Sequence, residues 1–80
     1  MDTRDVVQKR IVELCLAKRW AFNALARFSG ISESTMKNII YVKSKNPGIV
    51  TIKKICDGLE ISLTEFFNTP EFRNLEQEIK

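Results

Sequence analysis

The chain has 80 residues, 44% of them apolar and 29% charged, with a formal net charge of +3. That length allows one domain with a modest core, burying roughly 60–65% of the unfolded surface, and argues against an enclosed substrate chamber. There is no histidine, no glycine-rich phosphate loop and no paired-carboxylate constellation, so an enzyme, a cofactor and a metal site are all unexpected.

Cys15 and Cys56 are far apart and form no CxxC motif, which points to two buried, reduced thiols of a cytoplasmic protein. No apolar run approaches the roughly 18 residues that span a bilayer, and the amino terminus carries no signal-peptide pattern. Charge is uneven along the chain. Residues 21–54 hold Arg27, Lys37, Lys43, Lys45, Lys53 and Lys54 against Glu33 alone, whereas residues 55–80 hold six acids against Arg73 and Lys80. A basic middle and an acidic tail suggest one face turned to a polyanion and another turned away.

Helical periodicity runs through the sequence. Val7, Ile11, Leu14 and Cys15 define an amphipathic helix over about residues 3–18, with Asp2 or Thr3 as its cap. A short helix over 22–29 is expected to bury Leu25, Ala26 and Phe28, with Ala21 a poor cap and Gly30 the terminator. Ile31 plugs the core, and Ser32 caps a third helix with Met36, Ile39 and Ile40 inward. Its outer face carries Glu33, Ser34, Lys37, Asn38 and Tyr41 as one continuous strip.

The end of that third helix is unusual. Tyr41-Val42 stands where Gly or Asn commonly closes a helix, and Val tolerates positive φ poorly. The helix is therefore expected to run on through Tyr41 and Val42, toward Lys43, and to unwind only in the stretch "SKNPG". That places the Tyr41 hydroxyl within reach of a phosphate. After the Asn46-Pro47-Gly48 turn, a fourth helix over about 49–59 is expected to bury Ile49, Ile52, Ile55, Cys56 and Leu59. Ser62 and Glu65 form a capping box for a fifth helix, with Ile61 and Phe66 as its hydrophobic staple. Thr69-Pro70-Glu71 opens a last helix, on which Phe72, Leu75 and Ile79 would form an apolar stripe.

"LARFSGISESTMKNI", residues 25–39, has the form of a helix-turn-helix unit. Its second helix is short, capped and hydrogen-bonding on the outside, which suits a major groove about 12 Å wide. With "LA" at 25–26, "GISESTMKNI" at 30–39, "KSKNP" at 43–47 and "TIKKICDGLEISLTEFF" at 51–67 in this order, the chain resembles the lambda-repressor-like, Cro-type (XRE) family over about residues 10–67. The resemblance implies an all-α fold of five helices, here with a short additional C-terminal helix, spanning residues 1–80 as a single domain.

It also implies a cytoplasmic regulator of transcription, bacterial or phage-derived, that binds a double-stranded DNA operator as a homodimer. By that resemblance base reading falls on Ser32, Glu33, Ser34, Lys37 and Asn38, and phosphate contact on Thr35, Lys43, Lys45 and Asn46. The sequence departs from the family pattern at four places. Phe22 replaces a phosphate-binding Gln, Ala21 replaces the preceding cap, Tyr41-Val42 replaces Asn-Gly, and Glu60 replaces Gly. Phe22 is expected to pack on Trp20 instead. The lost Gln and the acidic Glu33 leave an alternative on the same scaffold, an antitoxin-like module whose exposed strip binds a protein.

Overall fold

The computed structural model describes residues 2–42 and 46–79 and is helical, with no strand among them. In order the helices are α1 (Thr3–Lys18), α2 (Phe22–Ser29), α3 (Glu33–Tyr41), α4 (Ile49–Leu59), α5 (Leu63–Phe67) and α6 (Pro70–Arg73). Most starts are set by a side chain that accepts a first-turn N–H. Asp2 Oδ1 accepts from the Asp5 N–H at 2.8 Å, Ser32 Oγ from Thr35 at 3.1 Å and Ser62 Oγ from Glu65 at 3.0 Å. Each such cap contributes about 1 kcal/mol.

Three helices stop in the same way, and only one of them has glycine for it. Gly30 after α2 has φ 66°, Arg19 after α1 has φ 58° and Glu60 after α4 has φ 60°. In each case the following N–H turns back on the helix: Ile31 to Ala26 O at 3.0 Å, Trp20 to Cys15 O at 2.9 Å and Ile61 to Cys56 O at 3.0 Å. These bonds satisfy carbonyls the helix leaves open. A side chain in the left-handed region costs on the order of 1–2 kcal/mol. Glu60→Gly is therefore expected to stabilise the fold by about 1 kcal/mol, after the greater chain entropy of Gly is discounted. The check is a higher urea midpoint at unchanged m.

The core is one cluster in which Ile11, Leu25, Ile55, Cys56 and Phe66 are fully buried, with Cys15, Ala26, Met36 and Leu59 nearly so. α2 packs on α3 and α4, α4 on α5, and α1 on α3 and α6. α2 and α4 meet closely at Gly58. A Cβ there would lie 2.5 Å from Ser29 Oγ and 3.1 Å from the Phe28 carbonyl carbon and oxygen, so only glycine fits without a shift. Both cysteines are buried and free, and burial pushes their thiols up.

Away from the end of α3, the structure differs from the sequence expectations in four places. Phe28 is 56% exposed, because α2 turns Leu25, Ala26 and Ser29 inward and leaves Phe28 at the side. There it stacks on Trp20, centroids 4.7 Å apart and planes at 21°. Trp20 is thus taken by Phe28, and Phe22 instead meets Tyr41 edge-on at 6.1 Å. Ile49 is 59% exposed, since the core face of α4 is made by Ile52, Ile55, Cys56 and Leu59 and the helix's first residue overhangs it.

The last helix is a single turn. Asn74 closes it with its N–H on Pro70 O, so Leu75 and Ile79 lie outside α6 and the expected stripe does not form. One turn has too few internal bonds to persist alone. It is held by Phe72, which sits 4.9 Å from Phe67 and 6.1 Å from Phe66, centroid to centroid. Ile79 finds no such packing and is 87% exposed.

Candidate nucleic-acid interface

α3 is positioned from beneath by Met36, Ile39 and Ile40, which are buried in the common core. Everything the helix presents outward is exposed: Glu33, Ser34, Thr35, Lys37, Asn38 and Tyr41. The strip is a ridge between two depressions. The one toward α2 has a volume of about 270 Å³ and is bordered by Ala21, Phe22, Asn23, Glu33, Lys37 and Tyr41. The one toward α4, of about 210 Å³, is bordered by Thr35, Asn38, Asn46, Gly48 and Thr51. Glu33 and Lys37 thus overlook one flank, Thr35 and Asn38 the other.

Hydrogen bonding sorts these side chains further. Ser32 Oγ accepts the Thr35 N–H and donates to Thr35 Oγ1 at 2.9 Å, so its proton and one lone pair are already engaged. Ser34 Oγ lies 3.4 Å from Ser32 Oγ, a marginal distance from which its hydroxyl can rotate outward. The three hydroxyls make a tight cluster at the positive end of the helix dipole, with Glu33 in its first turn. Among the described residues no hydrogen bond or ion pair holds the Lys37 and Asn38 side chains.

Asn46, expected on the phosphate side, is exposed and is brought beside Thr35 and Asn38 at the α4 depression. Lys43 and Lys45 lie outside the described residues. Two polar residues border the ridge that the sequence reading did not single out, Asn23 on α2 and Thr51 on α4. Asn23 follows directly on Phe22, the position where the Gln is missing, and that adjacency was the signal for it.

α3 does continue past Ile40, as expected, but ends at Tyr41. Val42 has φ −105° and ψ 105°, extended rather than helical or left-handed, and its N–H makes the last helical bond to Asn38 O at 3.0 Å. No strain is stored there. Among the described residues no group of three or more Cys, Asp or Glu side chains converges as a metal site would, and no helix is long and apolar enough to cross a membrane.

The family model for the Cro/C1-type HTH DNA-binding domain matches residues 10–71. A solved structure described as the crystal structure of the prophage Lp1 protein 11 is similar at a TM-score of 0.81 and 32% sequence identity. The alignment covers 94% of this chain and 100% of that one. No curated protein matches. Six helices among the described residues, a Gly-closed helix-turn-helix over residues 25–39 and a family match over residues 10–71 lead to one conclusion: the chain belongs to the Cro/C1-type helix-turn-helix DNA-binding domains.

Proposed function

We propose that this DNA-binding regulator is a transcriptional repressor that lays α3 in the major groove of an operator. The observation that carries this reading is the exposed ridge of α3, polar along its length and anchored below by the core. The family is a DNA-binding regulator fold rather than an enzymatic one. On a duplex, Asn38 would bond adenine in bidentate fashion, Glu33 would accept from the cytosine amino group, and Ser34 and Lys37 would complete the reading. Ser32, largely engaged as a cap, would contribute through its remaining lone pair. Thr35, Tyr41, Asn46, Lys43 and Lys45 would hold phosphates and set orientation.

The whole chain acts as one DNA-binding unit in this reading, in the cytoplasm of a bacterium or from a resident phage genome; the prophage protein it resembles supports that setting. A domain this small covers little DNA, so a homodimer on two half-sites is proposed. Leu75 and the exposed Ile79, in the acidic C-terminal segment, are apolar residues available to such a contact.

One observation favours a second reading. The α2-side depression is walled by Phe22 and Tyr41, aromatic surfaces where phosphate contact calls for polar groups. A protein partner such as a toxin would use that hollow. Salt separates the two, because phosphate neutralisation makes log K fall steeply and linearly with log salt, whereas docking into an apolar hollow does not. Under the DNA reading, Asn38→Ala and Ser34→Ala each weaken binding to the operator by about 1–3 kcal/mol and leave random duplex nearly unchanged. Equal losses on both duplexes in a fluorescence-anisotropy titration would remove these residues from the reading set.

A further inference from the structure

α3 lacks the left-handed closing residue that α1, α2 and α4 share. Nor does a basic residue stand in its last turn to meet the negative end of its dipole. The missing groups come from α1. Arg4 Nη2 donates to Val42 O at 2.7 Å, and Gln8 Nε2 donates to Ile40 O at 3.2 Å. Four residues apart, these side chains lie on one face of α1, the helix that packs on α3. Asp5 Oδ1, 3.4 Å from Arg4 Nη1, steadies the guanidinium, and the Arg4 side chain is only 13% exposed.

We propose that Arg4, supported by Gln8, is a positioning residue for DNA recognition: α1 supplies the C-terminal cap of α3. The inference rests on the DNA-binding reading above. The capped end carries Tyr41 and the final helical bond to Asn38 O, and from it the chain leaves toward Asn46. Loosening this end would let Tyr41 and Val42 adopt many orientations, and binding would then have to restore one of them. Reading of base edges depends on that orientation, whereas loose attraction to phosphates does not. With its guanidinium turned onto a carbonyl and its side chain 13% exposed, Arg4 is placed to hold the helix end rather than a phosphate.

The test uses the full chain, its Arg4→Met and Arg4→Lys variants, the duplex that wild type enriches most from a random library, and an arbitrary duplex. Arg4→Met is expected to weaken binding to the enriched duplex about tenfold, the equivalent of one charge-assisted bond, with arbitrary duplex and salt slope unchanged. Arg4→Lys, which keeps a cation at the helix end, is expected to recover part of the loss. In the free protein, amide exchange at Val42 is expected to speed up about tenfold in Arg4→Met, while the Ile55 amide in the core stays as it was. An unchanged Val42 amide would overturn the cap. Equal weakening on both duplexes with a salt slope lower by about one would make Arg4 a phosphate contact and overturn the positioning role. If wild type enriches no duplex, the DNA reading itself falls and takes the positioning role with it. The amide measurement would then still decide whether α1 caps α3.

Discussion

Phe66→Ala is expected to lower stability by about 3–5 kcal/mol, the usual cost of removing a fully buried aromatic ring. Phe66 is 0% exposed and joins three elements, because its ring meets Phe67 at 4.9 Å and Phe72 at 6.1 Å while α5 itself lies on α4. A chain of this size has roughly 4–12 kcal/mol to lose, so the variant would be partly unfolded at 37 °C. The neighbouring Phe67 is only half-buried, and Phe67→Ala should cost clearly less. Urea unfolding followed by circular dichroism checks both. Similar losses for the two would contradict the burial difference.

The second large effect belongs to Arg10. Its Nε donates to Phe66 O at 2.8 Å and its Nη2 to Glu65 O at 2.9 Å, so one guanidinium closes the C-terminal end of α5 from α1. The side chain is 17% exposed, and Glu13 lies 3.9 Å from Nη1, a loose ion pair that leaves both donations to the carbonyls in place. Arg10→Met keeps much of the aliphatic stem but takes the donor from Phe66 O and leaves Glu65 O with only the Asn68 N–H at 3.3 Å. With charged hydrogen bonds contributing about 1.5–3 kcal/mol each, the loss should reach about 3 kcal/mol. A loss below about 1 kcal/mol in the same unfolding experiment would mean that water replaces the guanidinium at those carbonyls.

Arg4 and Arg10 together show why some helix ends were legible in the sequence and others were not. Starts were readable because their determinants are local: Asp2, Ser32, Ser62 and Thr69 each cap an N–H three residues onward. Gly30 announced the end of α2 for the same reason. The α3 end was half legible. Val42 forbade a left-handed stop, which was readable, but the group that replaces it is Arg4, 38 residues away. No local pattern shows such a partner.

Other misses share that cause. Arg19 and Glu60 take positive φ because the turns into Trp20 and Ile61 demand it, against their own preference. Phe28 was assigned inward by hydrophobicity, whereas Trp20 offered it a stacking partner at the surface. Ile49 has the right residue type for burial but sits one turn before the core face of α4 begins. For the candidate site, the ridge residues were readable from helical spacing alone. Asn23 was signalled only by its place beside the missing Gln and Thr51 not at all, because both arrive from other helices.

The central claim is that α3 reads base edges of a duplex, with Asn38 among its readers. Selection of bound duplexes from a random library, run in parallel with wild type and Asn38→Ala, tests it most directly. Wild type is expected to enrich a roughly palindromic motif whose half-sites lie about 34 Å apart or a multiple of that. The Asn38→Ala variant is expected to enrich the same motif with one position per half-site relaxed, adenine being the base lost. No enriched motif from wild type, or an identical motif from both proteins, would contradict the account.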